Sequence, residues 1–168
     1  MLKRVFSVIL VIIWLLVIYS FSDTAGIISG NQTRQMFYNT VARASRFFYG
    51  IGLLNEEFEE ATVDQIVENY HHVFRKLCHL FVYFMLGIFS YLSIIVIFGK
   101  GTLFSSILTI IFSLGYSIFD ELHQASVPSR TCTPMDVTID TSGAIIACII
   151  LSIIVKYRRK RNSTKPDV

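Results

Sequence analysis

The sequence predicts an all-α polytopic membrane protein with four transmembrane helices plus an extracytoplasmic amphipathic helix. Two observations carry this reading. Of the 168 residues, 53% are hydrophobic, too many for the core of a single soluble domain to bury. Those residues are concentrated in four runs, at about 5–21, 77–98, 102–119 and 137–155. The last two carry one charged side chain between them, Asp140. Each is about 27 Å or longer as a helix, close to the thickness of a bilayer core. The whole chain, 1–168, reads as one membrane domain interrupted by a polar insert at 23–75.

Met1-Leu2-Lys3-Arg4 precedes the first run. Basic residues before an apolar stretch fit either a membrane span or a signal peptide. A retained span is favoured, because Val5 to Tyr19 is long for a signal core and Ser20-Phe21-Ser22 makes a poor cleavage site. Within the insert, Thr62 followed three positions later by Gln65 reads as a capping box, which predicts a helix from Val63. Val63, Ile66, Val67, Tyr70, Val73 and Leu77 recur at steps of three and four, an amphipathic stripe that runs into the second span. Arg43, Arg46, Phe47, Phe48 and Tyr49 suggest aromatic rings and arginines at headgroup level. Glu56, Glu57, Glu59 and Glu60 read as a solvated surface.

Gly99-Lys100-Gly101 marks a tight turn, so the third span returns antiparallel beside the second and ends at Asp120. A loop of about a dozen residues with Pro128 and Pro134 follows. Thr133 as N-cap and Pro134 at the first helical position start the fourth span. The three cysteines, Cys78, Cys132 and Cys148, form no C-x-x-C pair, and their odd number argues against a disulfide framework. Cys78 and Cys132 could meet near one membrane boundary.

With four spans, both termini and the Gly99 turn share a side. That side carries Lys3, Arg4, Lys100, Lys156, Arg158, Arg159, Lys160, Arg161 and Lys165, nine of the fifteen lysines and arginines. Its one acid is Asp167. The positive-inside rule then places both termini in the cytoplasm and the insert on the opposite side of the membrane. The basic tail directly after a span is explained by topology and anionic lipid, so the bilayer is the expected partner and nucleic acid is not.

This orientation gathers the polar residues of the spans at the outer end. Lys76, His79, Tyr83 and Gly87 share one face of the second span. Ser113, Tyr116, Ser117, Asp120, Glu121 and Gln124 share one face of the third, and Asp136, Asp140, Gly143, Ala144 and Ala147 one face of the fourth. Polar and small faces turn inward in membrane bundles, so the three stripes are expected to meet.

Each candidate has a structural and a functional reading. Asp136 can cap the fourth span at its N-terminus, or bind a ligand. Asp120 and Glu121 lie at a helix C-terminus, which disfavours negative charge. They belong either to an ion-pair network with Lys76, His123 or Arg130, or to an open binding or catalytic site. His79 is a hydrogen-bonded core histidine, a proton carrier or a metal ligand. Asp120, Glu121, His123, Asp136 and Asp140 could supply metal ligands, yet no H-E-x-x-H motif is present and neither metal nor cofactor is assigned. Ser126, Ser129, Thr131 and Cys132 include no marked nucleophile. Arg130 suits a lipid or sugar phosphate, because its planar fork pairs bidentately. Catalytic candidates are therefore His79, Asp120, Glu121 and His123, and binding candidates are Lys76, Tyr83, Gln124, Arg130, Asp136 and Asp140.

RKLCHLFVYFMLG at 75–87 and SIFDELHQASVPSRTCTPMDVTIDTSGA at 117–144 resemble the VanZ-like membrane proteins. Their pattern is roughly R-K-x-x-H-F-x-E-Y-x-x-L-G, D-E-x-H-Q-x-x-x-P-x-R and D-x-x-x-D-x-x-G. It falls here on Arg75, Lys76, His79, Tyr83, Gly87, Asp120, Glu121, His123, Gln124, Pro128, Arg130, Asp136, Asp140 and Gly143. Leu80 stands where the pattern has Phe and Val82 where it has Glu, so a mechanism that needs that glutamate is not expected. The resemblance implies a bacterial cell-envelope protein, one relative of which confers resistance to teicoplanin. A module that binds an envelope lipid or lipoglycopeptide, or limits its access, is the first expectation. A membrane-embedded hydrolase or transferase acting on a phosphate- or ester-containing envelope lipid is the alternative.

Overall fold

A computed structural model describes residues 1–23, 26–99, 101–127 and 133–163. Five helices follow one another: α1 Leu2–Ser22, α2 Gly26–Gly50, α3 Glu60–Phe98, α4 Thr102–Ala125 and α5 Pro134–Ser163. No strand occurs among the described residues. α1, α3, α4 and α5 are long and apolar enough to cross a membrane. α3 is the hub and packs against each of the others.

α3 runs unbroken for 39 residues, or about 58 Å, nearly twice the hydrocarbon thickness of a bilayer. The amphipathic stripe and the second span are thus one rod. Its N-terminal part stands beyond the membrane and pairs with α2, a helix that the sequence reading did not anticipate. Arg34 bonds Glu68 at 3.0 Å, Phe37 stacks on Phe74 at 4.6 Å, and the Phe58 amide donates to Ser45 Oγ at 2.6 Å. α2 closes with Gly52 at φ 74°, the Leu53 amide donating to the Phe48 carbonyl and the Gly52 amide to that of Tyr49. This is a Schellman stop, which needs a left-handed residue that glycine supplies without a Cβ penalty. α3 begins at Glu60 with Glu59 as N-cap, three residues before the predicted Val63, and no side chain caps it. Thr62 is already inside the first turn, its amide bonded to the Glu59 carbonyl, so it cannot act as the cap. The hairpin also carries Phe47, Phe48 and Tyr49 to its far tip, away from the headgroup level expected for them.

α4 is built in reverse of a soluble helix. Its buried residues are Ser105, Thr109, Ser113, Ser117, Asp120, Glu121 and Gln124, while Leu103, Ile107, Ile111, Ile118 and Leu122 are exposed. Steps of four put the small hydroxyl residues on one seam, and the branched apolar side chains face hydrocarbon. α4 continues to Ala125 rather than stopping at Asp120. Lower in the bundle, Ser152 joins Tyr91 at 3.2 Å and Ser106 at 3.0 Å. These partners satisfy hydroxyls that lipid cannot.

α1 is tied on by polar atoms as well. Trp14 Nε1 donates to the Val82 carbonyl at 2.9 Å, and the Tyr116 hydroxyl donates to the Leu15 carbonyl at 2.8 Å. The tightest crossing is between α3 and α5. A Cβ at Gly143 would run into the Leu80 carbonyl and the Phe84 amide, and one at Gly87 would lie 2.8 Å from Ala144 Cα. Both positions need the absence of a side chain.

Gly143→Ala is therefore expected to destabilise the protein by about 1–3 kcal/mol through forced separation of backbones. Gly115→Ala, which meets nothing within 4 Å, should leave stability unchanged or slightly raised. Thermal unfolding of the two variants in one detergent checks the difference.

Candidate functional site

The α3–α5 crossing fixes where the charges meet. Asp140 lies three residues before Gly143 and His79 one before Leu80, so the backbone approach at Gly143 carries the carboxylate to the ring. Asp140 Oδ1 is 3.6 Å from His79 Nδ1, and its other oxygen accepts the Ser117 hydroxyl at 3.2 Å. Apart from its contact with His79, Oδ1 has no hydrogen-bond partner among the described residues. Asp140 is 1% exposed, whereas the His79 side chain keeps 32% of its surface. One member of the pair is sealed and the other is reachable.

Asp120 lies beside them, 3% exposed. Its Oδ2 accepts Gln124 Nε2 at 2.9 Å and the Tyr83 hydroxyl at 3.4 Å. Tyr83 is buried on the same face of α3 as His79, one turn deeper. Glu121 is equally buried and takes a different role, accepting the Thr133 amide at 2.7 Å. Thr133 in turn donates its hydroxyl to Asp136 at 2.9 Å and accepts the Asp136 amide at 3.3 Å. Thr133 is thus the N-cap of α5, Asp136 is its reciprocal capping carboxylate, and Glu121 ties that cap to α4.

Hydrogen bonds thus bring Glu121, Asp136, Asp140 and Asp120 to the same end of the bundle. Among the described residues none of the four carboxylates pairs with a lysine or arginine; His79 is their one basic neighbour. Buried acids that face one another require a cation, a proton or strong donors nearby. Among the described residues neutral donors hold them, and the His79 side chain beside them is partly exposed.

The sequence candidates divide accordingly. His79, Tyr83, Asp120, Gln124 and Asp140 converge. Glu121 and Asp136 flank them as capping groups. Lys76 shares its stripe with His79 but is exposed. His123 is turned to α1: Tyr19 stacks on its ring at 4.7 Å and Asp23 Oδ1 lies 3.5 Å from Nε2. Asp23, the first charged residue after α1, is the neighbour that sequence reading missed. Arg130, with Pro128, Ser129, Thr131 and Cys132, lies outside the described residues, as does Lys100. Cys78 and Cys148 are free thiols. No group of three or more His, Cys, Asp and Glu side chains among the described residues could hold a metal ion.

Glu121→Ala should cost about 1–3 kcal/mol, because the Thr133 amide loses its acceptor at a buried helix start. Glu121→Gln retains an acceptor and should cost clearly less. Thermal unfolding that ranks the two variants in this order checks the capping role.

The family model described as VanZ/LLP1 matches residues 6–155, nearly the whole chain. Neither the curated proteins nor the solved structures contain a match.

Proposed function

The chain belongs to the VanZ/LLP1 family, and from that premise we propose that it binds an envelope lipid or lipoglycopeptide at the outer face of the bacterial cytoplasmic membrane. The segregation of basic residues supports the orientation, with both termini in the cytoplasm and the acidic end of the bundle outside. One observation carries the binding reading. Asp120 and Asp140, both buried, are held by Tyr83, Gln124, Ser117 and His79, while His79 alone among these remains partly open. Such a shell presents hydrogen-bonding groups in fixed positions to a ligand arriving from the headgroup layer. Arg130 and Lys76, from the loop and the rim, would engage its phosphate or carboxylate. Holding a lipid-bearing glycopeptide there, or the lipid on which it acts, would limit its access to the envelope and confer resistance of the kind known in the family.

The His79–Asp140 contact favours a second reading. A partly open imidazole whose other side faces a buried carboxylate is the arrangement of a general base, and a hydrolase or transferase acting on a phosphate or ester would use it so.

Native mass spectrometry of the gently extracted protein tests both. The binding reading expects one amphiphile retained by the wild type, unchanged after incubation, and lost from His79→Gln/Asp120→Asn at unaltered helicity. Conversion of that amphiphile to a product in the wild type alone would replace binding by catalysis. Equal retention by the wild type and the double variant would overturn both.

A further inference from the structure

The hairpin of α2 and the outer part of α3 buries very little by itself. Ser45, Val63 and Val67 are its buried residues, while Met36, Phe47, Phe48, Tyr49, Tyr70 and Val73 remain exposed. Two helices with so small a seam are marginal in water, where helix stability comes mainly from packing. Unlike the apolar faces of α1, α4 and α5, these side chains lie outside the apolar runs of the spans, and no described part of the chain covers them. Something else must.

Its charges indicate what. α2 carries Arg34, Arg43 and Arg46 and no acid. From Phe47 to Phe74 the chain carries Glu56, Glu57, Glu59, Glu60, Asp64 and Glu68 and no lysine or arginine. Within the hairpin, Arg34–Glu68 is the one ion pair among the described residues. Arg46 turns back to its own helix and donates to the Ala42 carbonyl at 3.2 Å. Arg43 and all four tip glutamates are exposed. The Phe58–Ser45 hydrogen bond sets residue 58 level with residue 45. Arg43 and Arg46 thus stand at the same height above the membrane as Glu56, Glu57, Glu59 and Glu60, but on outward surfaces. At 100° per residue, Met36, Arg43 and Phe47 form one exposed stripe on a flank of α2 that α3 leaves uncovered.

Two copies inserted in one membrane share their heights, and a two-fold axis along the membrane normal brings equal heights together. Arg43 and Arg46 of each copy would then face the tip glutamates of the other, with Met36 and Phe47 between them. We infer that the α2–α3 hairpin is a dimerisation element that joins a second copy of this chain in a four-helix bundle outside the membrane, basic α2 against acidic α3. The arrangement is isologous, so each ionic contact occurs twice and the exposed aromatic residues gain the cover the hairpin lacks.

Charge reversal tests this in full-length protein reconstituted in lipid nanodiscs and proteoliposomes, with differently tagged copies co-expressed. Wild type should copurify across tags and be dimeric by light scattering. Arg43→Glu/Arg46→Glu and Glu56→Lys/Glu57→Lys/Glu59→Lys/Glu60→Lys should each weaken self-association by about tenfold or more, through lost pairing and new repulsion. The two reversed variants should then associate with each other, because each supplies the charge that the other lacks. Helicity by circular dichroism should be unchanged, since all the altered side chains are exposed. A wild type that is monomeric at every protein-to-lipid ratio would overturn the proposal, as it would be if the hairpin lay on the bilayer or served another protein. Dimerisation of both reversed variants at the wild-type level would overturn it as well.

Discussion

The crossing of α3 and α5 is the constraint from which the rest of the bundle follows. Gly143 sits against the Leu80 carbonyl and Gly87 against Ala144, so the two backbones are closer than any side chain would permit. In a bilayer, where apolar burial gives helices little reason to prefer one another to lipid, such close packing supplies association energy. It also determines chemistry. With the helices this close, Asp140 Oδ1 comes within 3.6 Å of His79 Nδ1 on α3. α4 then lays its hydroxyl seam into the remaining groove and brings Ser117 and Asp120 to the same end.

A carboxylate within or at the edge of a membrane costs a few kcal/mol unless it is paired or solvated. The protein offsets that cost unevenly. Glu121 and Asp136 spend their acceptors on the first turn of α5, where backbone amides need partners and the helix dipole favours negative charge. Asp120 and Asp140 have no such structural task. They are held by groups that could have been replaced by apolar side chains of similar volume, a substitution that often leaves stability unchanged or improved. They lie instead beside a histidine that is partly open.

The spans were legible because their length and composition leave no alternative, and the three polar stripes because helical periodicity assigns residues to faces. What periodicity cannot assign is the partner. His79 and Asp140 lie on different helices, and so do His123 and Asp23, and no local pattern joins them. Lys76 obeys the same spacing as His79 and Tyr83, yet it is exposed where they are partly or wholly covered. α2 escaped notice because its sequence, GIISGNQTRQMFYNTVARASRFFYG, has no recognisable N-cap and a stripe diluted by glycine, asparagine and arginine. Tertiary pairing with α3 makes it a helix. Conversely, the Thr62–Gln65 capping box was a sound local signal that lost to three more residues of helix, with Glu59 in extended geometry at φ −61° and ψ 153° as the true boundary.

Continuity of α3 links the two halves of the molecule. The same rod carries Val63 and Val67 in the hairpin and His79, Tyr83 and Gly87 in the bundle. All of this presupposes that His79 and Asp140 engage each other. A double-mutant cycle on His79→Ala and Asp140→Ala, read by unfolding in one detergent, measures that engagement directly. A coupling of about 0.5–3 kcal/mol is expected for residues in contact, and strictly additive effects would contradict the account.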